Sequence, residues 1–407
     1  MKLRDYQVRL ANEGHQILKC KGLVYYSVQV RCGKTLIALE TCKLYGAKKV
    51  LFITKIKAFS SIQWDYDNFG YDFDLTIINK ESIHKITSNS FDVIICDEAH
   101  GLFSSYPKSN SFAKAFKKRF ADVPLIYLSG TPTPESHSQW FNQFWVSNRS
   151  PFKEYANFYK WAVDFVKVKQ RKLGHGIVND YSDADEKHIM RRIKYHMLTF
   201  TQEEAGFTST VNEMVLEVPM KEITYAIIAK LKKDLIITNK DKQVILADTG
   251  VKLMQKIHQL SSGTCKFEDG SSKIIDYSKA EYIRDNMMEY KLGIFYKFKE
   301  EYNALKEILG DKLTNDLDEF NATDKSIALQ VISGREGISL KNARYLVYYN
   351  IDFSATTYWQ SRDRLTTMDR KENDVFWLFS KGGIEYKIYK AVMAKKSYTL
   401  ELFKKDL

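Results

Sequence analysis

The chain has 407 residues and a formal net charge of +12, and 44% of its residues are hydrophobic and 28% charged. This length and composition argue for a soluble globular protein with two or three domains. No apolar run approaches the roughly 20 residues of a membrane span, and the polar N-terminus predicts no signal peptide. We therefore expect a cytoplasmic protein that is not associated with a membrane.

The cysteines and histidines do not predict a metal site. The five cysteines form no Cys-x-x-Cys pair and stand mostly in apolar contexts, so they are predicted to be small core residues in a reducing compartment. The eight histidines show no metal spacing.

The excess of positive charge favours a polyanionic partner, because Lys and Arg contacts to phosphates gain affinity by releasing condensed counterions. Many lysines are interleaved with tyrosine and phenylalanine, which suits nucleic acid. A lysine-rich surface that is merely solvated explains the net charge of +12 equally well. The motifs have to decide between the two interpretations.

Elements of a parallel sheet follow one another from residue 22 to about 150. Short apolar runs predict buried strands, and segments such as GKTLIALETCKLYG, with apolar residues at helical spacing, separate them. The predicted strands are LVYYSV, KVLFIT, LTIIN, FDVIICD and PLIYLSG. This alternation is typical of an α/β fold with helices covering a parallel sheet.

A second alternation occurs late in the chain. KLGIFYKF, IALQVIS and ARYLVYYN are predicted strands, and KEEYNALKEILGD is a predicted helix. The segment between the two alternations is predicted to be mostly helical, with a capping box at TQEE, and SSGTCKFEDGSSK is predicted to be an exposed loop or hinge. We therefore predict an N-terminal lobe over 1–150, a connecting segment over 151–205 and a C-terminal lobe over 206–407.

The segment VYYSVQVRCGKTLIALE contains the parts of a phosphate-binding loop. Such a loop needs a strand, a tight turn with convergent N–H groups, a lysine, a hydroxyl and a helix N-terminus aimed at the anion. Gly33 suits the turn, and Lys34 and Thr35 supply the two side chains. Val28 stands where the full pattern has its outer glycine, so this segment alone does not establish a nucleotide site.

An acidic pair at the end of FDVIICDEAH supports the same interpretation. Parallel sheets bind ligands at the carboxyl ends of their strands. Asp97 is predicted to hold Mg²⁺ together with Thr35, and Glu98 is predicted to orient and deprotonate the attacking water. An acidic loop after a strand would be the preferred interpretation if no Gly-Lys-Thr preceded it.

With these motifs the chain resembles the superfamily 2 helicases and translocases, in particular the Swi/Snf-like branch of double-stranded DNA translocases and its compact bacteriophage and bacterial members. VRCGKT is similar to motif I, DEAH to motif II, and LRDYQ to the adenine-recognising segment before motif I. The resemblance implies two RecA-like lobes of the P-loop NTPase type that face a central ATP cleft, with ATP and Mg²⁺ bound. The implied nucleotide-binding residues are Gln7, Arg4, Arg31, Cys32, Gly33, Lys34, Thr35 and Leu36.

Arg31 stands where many members of this branch have a small residue. Contact with phosphate and simple exposure are equal alternatives for its side chain.

Further segments resemble motifs that contact nucleic acid or relay the state of the nucleotide. VLFITKIKAFSSIQWDYDNF resembles motif Ia, LSGTP motif III and QVISGREGISL motif V, whose small residues let the backbone approach a phosphate. The implied residues are His100, Ser129, Gly130 and Thr131 for coupling, and Thr54, Lys57, Ser333, Gly334 and Gly337 for nucleic-acid binding.

KLGIFYKFKEEYNALKEIL resembles motif IV, and YNIDFSATTYWQSRDRL resembles the approach to motif VI. Gln360 and Arg364 lie one helical turn apart, so they share a face and are predicted to reach the γ-phosphate, with Arg364 as the arginine finger. The branch usually has a second arginine where this chain has Thr367. Arg362 or Arg370 is a candidate replacement, and without one turnover would be weak unless a partner assists.

The resemblance implies an ATP-dependent motor that translocates along duplex DNA, without sequence specificity, in replication, repair or remodelling. We expect a monomer, with a replication or repair protein as a candidate partner. Two alternatives stay open. One is a helicase that separates DNA or RNA strands, and the other is an ATP-gated clamp or recruitment module with little turnover, which Thr367 favours.

Overall fold

The computed structural model describes residues 2–87, 90–173, 176–207, 210–334, 339–354, 357, 361, 372–394 and 402–403, without the side chains of 171–173, 176 and 333–334. The chain divides into two compact units, Met1–Phe207 and Thr208–Leu407. None of the helices in the described ranges combines the length and the apolar character that crossing a bilayer requires.

The first unit alternates strands with helices. Its strands are β1 (Leu23–Val28), β2 (Lys49–Ile53), β3 (Asp74–Ile78), β4 (Val93–Asp97), β5 (Leu125–Ser129), β6 (Lys169–Leu173), β7 (Gly176–Asp180) and β8 (Met197–Phe200). Its helices are α1 (Asp5–Lys21), α2 (Lys34–Tyr45), α3 (Phe59–Asn68), α4 (Ala99–Phe103), α5 (Ser111–Phe120), α6 (Gln139–Trp145), α7 (Phe158–Phe165) and α8 (Glu186–Ile193).

Six of these strands form one parallel sheet in the order β3-β2-β4-β5-β1-β8. Alternate residues of each strand enter different cores. Leu23 and Tyr25 pack in one hydrophobic cluster, and Val24 and Tyr26 pack in the other. Because helices cover both faces of the sheet, its central strands are apolar on both sides, and this is why five of them could be predicted as continuous apolar runs.

Residues 151–205, which are predicted to be a mostly helical connection, belong to the first unit. They contain α7 and α8, but β6 and β7 form an antiparallel hairpin and β8 joins the sheet beside β1. The TQEE capping box is present, since Thr201 N donates to Glu204 Oε2 over 2.7 Å and Glu204 N donates to Thr201 Oγ1 over 3.1 Å. It closes a turn and does not open a helix.

The second unit is built in the same way. Its strands are β9 (Thr210–Val218), β10 (Ile236–Thr238), β11 (Val244–Leu246), β12 (Thr264–Lys266), β13 (Ser272–Ile274), β14 (Leu292–Tyr296), β15 (Leu313–Thr314), β16 (Ser326–Gln330), β17 (Tyr345–Tyr348) and β18 (Glu372–Ser380). Its helices are α9 (Glu222–Asp234), α10 (Gly250–Ser261), α11 (Ser278–Met287), α12 (Lys299–Leu309), α13 (Leu317–Ala322), α14 (Val331–Gly334) and α15 (Glu385–Met393).

The second unit also has a six-stranded parallel sheet, in the order β15-β16-β14-β17-β18-β9. β9 and β18 pair along their whole length, from Thr210 opposite Glu372 to Val218 opposite Ser380. Two hydrophobic clusters lie on the two faces of the sheet. The predicted fold class, α/β with two parallel-sheet lobes of the RecA type, is confirmed.

The prediction of an exposed loop or hinge at SSGTCKFEDGSSK is wrong for the first half of the segment, whereas residues 268–270 form an exposed turn. β12 and β13 pair within it as an antiparallel hairpin, and Ser261, Ser262 and Thr264 are buried. The hydroxyl of Ser262 donates to Gln259 O over 2.8 Å. Polar residues that are typical of loops can therefore lie inside the protein when the surrounding backbone supplies hydrogen-bond partners.

Candidate functional site

The loop 29–33 connects β1 to α2 at the carboxyl ends of the first sheet. Gly33 has a φ of +74°, a backbone conformation that favours glycine, and a Cβ at this position would lie 2.1 Å from Gln7 Nε2, so a larger residue would also displace the Gln7 side chain. Arg31 also lies in the left-handed region, with a φ of 66°. The N-cap residue of α2 is Gly33, which has no side chain to cap the helix, so the first N–H groups of α2 can bind an anion.

Gln7 connects α1 to this loop. Its side chain is buried, and its Oε1 accepts a hydrogen bond from Arg4 N over 2.9 Å as part of the cap of α1. The Nε2 of the same carboxamide packs against Gly33. The fold therefore brings Arg4 and Gln7 to the phosphate-binding loop, and the adenine contact stays a prediction.

Lys34 extends toward the end of the neighbouring strand. A Cβ on Gly130 would lie 3.5 Å from Lys34 Nζ, and Gly130 directly follows β5, the neighbour of β1 in the sheet. The lysine charge also lowers the pKa of Asp97 at the end of β4. Lys34 is thus close to the ends of two other strands.

The acidic pair lies where β4 ends. Thr54, which follows β2, donates its hydroxyl to Asp97 Oδ2 over 2.8 Å, and Glu98 N donates to Asp97 Oδ1 over 3.0 Å. Glu98 has a φ of 46°, an uncommon conformation for a residue with a side chain. Such residues cost about 1–3 kcal/mol each and occur preferentially at functional sites.

The carboxylate of Glu98 disfavours ionisation of its neighbour Asp97. Burial raises the pKa of Asp97, the charge of Glu98 raises it further, and Lys34 and the hydrogen bond from Thr54 lower it, with a net value of about 6. A cation at this position would favour the ionised form of both acids.

The donor set fits magnesium. The Thr35 hydroxyl and the Asp97 carboxylate are hard oxygen ligands, the type that Mg²⁺ prefers. Within the described ranges no cluster of three or more His, Cys, Asp or Glu side chains could hold a metal ion by itself. Mg²⁺ usually binds through one or two carboxylates together with substrate phosphates, so this arrangement fits a magnesium–nucleotide complex.

His100 connects the acidic pair to the segment after β5. Its Nδ1 lies 2.8 Å from Ser129 Oγ and 3.3 Å from Glu98 Oε2. Ser129 Oγ in turn accepts a hydrogen bond from Thr131 N over 3.1 Å. The predicted coupling residues are therefore joined by contacts that start at Glu98, and their coupling role stays a prediction.

Other predicted residues lie in different surroundings. Lys57 is exposed in the short turn Ile56–Ala58, as a phosphate contact requires. Thr54 is only 6% exposed, and its hydroxyl is engaged by Asp97. Cys32 is buried, and burial raises the pKa of its thiol to about 11. Thr35 and Leu36 are half-buried in the first turn of α2.

Two contacts at this site are not predicted from the sequence. The first is the hydrogen bond from Thr54 to Asp97. The second is made by Gln202, whose N donates to Gln29 Oε1 over 2.7 Å and whose Nε2 donates to Val30 O over 3.0 Å. The TQEE motif predicts a cap, but it carries no information about a partner so distant in the chain.

The predicted site residues of the second unit fall mostly outside the described ranges. Ser333 and Gly334 are the last two residues of α14, the helix that directly follows β16. The predicted residues that lie outside the described ranges are Gly337, Gln360, Arg362, Arg364, Thr367 and Arg370.

No family model and no curated protein matches this chain. Among solved structures, it is similar to the SWI2/SNF2 ATPase core of Sulfolobus solfataricus in complex with dsDNA, at 16% identity over 100% of this chain and 93% of that one, with a TM-score of 0.45. A second structure, of the Sulfolobus solfataricus SWI2/SNF2 ATPase core domain, is 15% identical over 97% of this chain and 89% of that one, with a TM-score of 0.43. The Pyrococcus furiosus Hef helicase domain is 14% identical over 96% of this chain and 98% of that one, with a TM-score of 0.46. The fold assignment rests on the two sheets of the chain itself.

Proposed function

We propose that this protein is an ATP-dependent nucleic-acid motor of the Swi/Snf-like type, a double-stranded DNA translocase that acts in replication, repair or remodelling. One observation carries the proposal. Lys34 at the start of α2 and the Asp97–Glu98 pair at the end of β4 come within electrostatic reach of one another, and the N-cap residue of α2, Gly33, has no side chain that could occupy its N–H groups. A triphosphate needs this combination of positive charge, N–H donors and acids.

In this proposal the first N–H groups of α2 and the Lys34 ammonium bind the β- and γ-phosphates of ATP. Thr35 and Asp97 would hold Mg²⁺. The ion, bound with ATP, would neutralise charge on the phosphate oxygens. Gln7 would read the adenine, and Arg4 and Arg31 would lie near the nucleotide. Gln360 and Arg364 retain, from the resemblance, the role of stabilising the transferred phosphoryl group.

Glu98 is proposed to accept a proton from the attacking water. Its Oε2 lies 3.3 Å from His100 Nδ1, and His100 contacts Ser129. A change in the charge or position of Glu98 during hydrolysis would therefore alter the contacts of the segment that follows β5. We propose that this chain of contacts relays the state of the nucleotide to the nucleic-acid surface.

The net charge of +12 and the exposed Lys57 support a phosphate-backbone partner. Contacts to phosphates carry little sequence information, so we propose binding to duplex DNA without sequence specificity. A monomer in the cytoplasm that works with a replication or repair protein remains part of the proposal.

The test is phosphate release with and without duplex DNA. We expect hydrolysis that rises with DNA in the wild type and is lost in Lys34→Ala, which should also bind ATP more weakly. Lys43→Ala is the matched control, because Lys43 is exposed on the same helix and should leave hydrolysis unchanged. Hydrolysis by Lys34→Ala at the wild-type rate would contradict the proposed nucleotide site.

Thr367 favours a second candidate, an ATP-gated clamp with little turnover. The same assay separates the two functions. A clamp would bind ATP and DNA but release almost no phosphate under either condition.

A further inference from the structure

Three exposed basic residues, which we call the amino-end cluster, surround the amino end of β1. Lys21 is the last residue of α1, Arg149 follows α6, and Lys194 begins the short turn Lys194–His196 before β8. The phosphate-binding loop lies at the other end of β1, and a six-residue strand is about 20 Å long. The amino-end cluster is therefore separate from the proposed ATP site, and none of its members has been given a role there.

Contacts bring the three members of the amino-end cluster to one place. The side chain of Arg149 packs on Gly22, because a Cβ on this glycine would lie 2.0 Å from Arg149 Cδ. His196 Nδ1 lies 3.2 Å from Leu23 O, which holds the turn beside the start of β1. Burial lowers the pKa of His196, the hydrogen bond to Leu23 raises it, and the nearby charge of Lys21 lowers it. The end of α1, the segment after α6 and the turn before β8 therefore meet at the amino end of β1.

The charge of the amino-end cluster is not balanced by ion pairs. Within the ranges that the structure describes, none of its three side chains pairs with a carboxylate. The acids of the adjoining segments have other partners. Asp122 accepts a hydrogen bond from Asn148 Nδ2 over 2.8 Å, and Glu154 forms an ion pair with Arg192. The amino end of β1 therefore carries an excess of positive charge that suits a polyanion.

An exposed aromatic ring lies next to these charges. Tyr195 is 64% exposed, and the residues on either side of the turn's centre, Ile193 and His196, are buried and fix its backbone. The Lys194 ammonium lies 4.7 Å from the centroid of the Tyr195 ring. A tyrosine offers a large flat contact area and loses little conformational freedom when it binds. Tyr195 therefore suits a ligand that has both negative charge and a flat group.

We propose that the amino-end cluster and Tyr195 form a second nucleic-acid surface, which binds single-stranded DNA. The three cations would contact backbone phosphates, and Tyr195 would stack on a base. Only a base that has left the duplex stack can use the ring, so the surface favours a single strand over a duplex. The inference rests on the proposed function for the presence of DNA and adds a second contact to it, but its test needs neither ATP nor hydrolysis.

The first experiment tests the stacking. Fluorescence anisotropy follows binding of a labelled oligo(dT) of about 12 nucleotides to the full chain, with excess unlabelled duplex DNA present to occupy the proposed duplex surface. We expect saturable binding, which Tyr195→Ala should weaken by about tenfold, the factor that stacking on one base contributes. Tyr195→Phe keeps the ring and should bind like the wild type, as should Tyr159→Ala, which removes another exposed tyrosine of the first unit. Wild-type affinity in Tyr195→Ala would overturn the proposal.

The second experiment tests the phosphate contacts. Lys194→Glu should weaken binding of the same oligo(dT) by about tenfold, because it replaces an attraction by a repulsion. Lys118→Glu changes the net charge equally at an exposed position of α5, outside the amino-end cluster, and should bind like the wild type. Equal affinities in the two variants would overturn the phosphate contacts. Displacement of oligo(dT) by a polyglutamate peptide as effectively as by unlabelled oligo(dT) would assign the surface to an acidic protein and overturn the proposal.

The third experiment separates this surface from the proposed motor function. Tyr195→Ala should keep the wild-type Tm, the affinity for duplex DNA and the DNA-stimulated hydrolysis, because the ring is exposed and lies at the other end of β1 from the proposed ATP site. An equal loss of duplex binding in this variant would place Tyr195 on the duplex surface and overturn a separate site for single strands. A wild-type chain that binds oligo(dT) as expected but hydrolyses no ATP would contradict the proposed function and support the second surface.

Discussion

The two parallel sheets share an architecture but differ in the electrostatics at the carboxyl ends of their strands. In the first sheet, two adjacent carboxylates, Asp97 and Glu98, lie side by side, and burial together with their mutual repulsion raises the pKa of Asp97. In the second, Lys279 and Glu385 form a fully buried ion pair of 2.9 Å. The first end therefore places two carboxylates side by side near one lysine charge, whereas the pair in the second is internally neutral.

The polar groups of the second sheet hold elements together. Glu301 Oε2 accepts hydrogen bonds from Lys297 N over 2.7 Å and Phe298 N over 3.0 Å, which caps α12. Asn350, which follows β17, donates to the other oxygen of Glu301 and lies 2.6 Å from His258 Nε2. Two sheets of one topology thus use buried polar groups for different purposes, and charge balance distinguishes the proposed chemical end from the structural one.

The largest effect on hydrolysis is expected from Arg364. This residue of the second unit would take part in the chemistry, although the polar groups described for that unit are structural. Arg364→Ala should keep the fold and DNA binding but reduce DNA-stimulated hydrolysis by about 10³-fold or more, because an arginine finger neutralises charge on the transferred phosphoryl group. Phosphate-release kinetics measure it. Arg362→Ala and Arg370→Ala should have smaller effects.

A local salt bridge of Arg364 with Asp363 or Asp369 would contribute less than about 1 kcal/mol and would leave hydrolysis intact. A greater loss in Arg370→Ala would show that this arginine compensates for Thr367.

At the chemical end, Glu98→Gln should retain ATP binding and reduce turnover by about 10²–10⁴-fold, the usual contribution of a general base. Its Tm should stay close to that of the wild type. Glu13→Gln, at an exposed ion pair on α1, is the control and should have no effect. Unchanged turnover in Glu98→Gln would remove this residue as the base.

At the structural end, Lys279→Met should lower the free energy of unfolding by about 3–5 kcal/mol, because it leaves a buried carboxylate without its partner. Denaturant titration measures the loss. The double variant with Glu385→Leu should recover much of it, and hydrolysis per folded molecule should be unchanged. A loss of turnover without a loss of stability would contradict the comparison.

Salt should weaken binding of duplex DNA by at least about tenfold between 50 and 200 mM, because contacts to phosphates release counterions. Fluorescence anisotropy with unrelated duplexes of equal length measures both the salt slope and the lack of sequence preference. Strong stimulation of hydrolysis by single-stranded RNA, without stimulation by duplex DNA, would exclude the double-stranded DNA assignment.

The smallest effect concerns the contacts between the acidic pair and the segment after β5. Ser129→Ala removes the partner of His100 Nδ1, and a hydrogen bond of this kind contributes about 1 kcal/mol. We expect DNA-stimulated hydrolysis to fall several-fold while hydrolysis without DNA is unchanged. Ser61→Ala, at an exposed serine on α3, is the control. An equal fall of both rates would assign Ser129 to the hydrolytic step and not to coupling.

The strands of the first sheet and the phosphate-binding loop could be predicted because their signals are local. A strand that is buried on both faces is a continuous apolar run, and LVYYSV matches the bounds of β1. The loop needs only consecutive residues, and Gly33 adopts the left-handed conformation that such a turn uses. The acidic pair was predictable for the same reason, since it lies at the carboxyl end of β4.

Local signals failed where partners distant in the chain decide the structure. β8 lies in a segment with a mostly helical pattern, yet it pairs with β1. The motif Ia resemblance predicts that Thr54 contacts nucleic acid. The sheet order instead places β2 beside β4, and this brings the Thr54 hydroxyl to Asp97.

The sequence by itself therefore determined the alternation of strands and helices, the phosphate-binding turn and the acidic strand end, because each depends on neighbouring residues and their periodicity. Only the tertiary structure decided which polar groups are paired. Ser261, Ser262 and Thr264 have the composition of a loop, and their burial follows from the packing of α10 and the hairpin of β12 and β13. Hydrogen-bond partners and charge balance are properties of the folded arrangement, so the raised pKa of Asp97 appears only there.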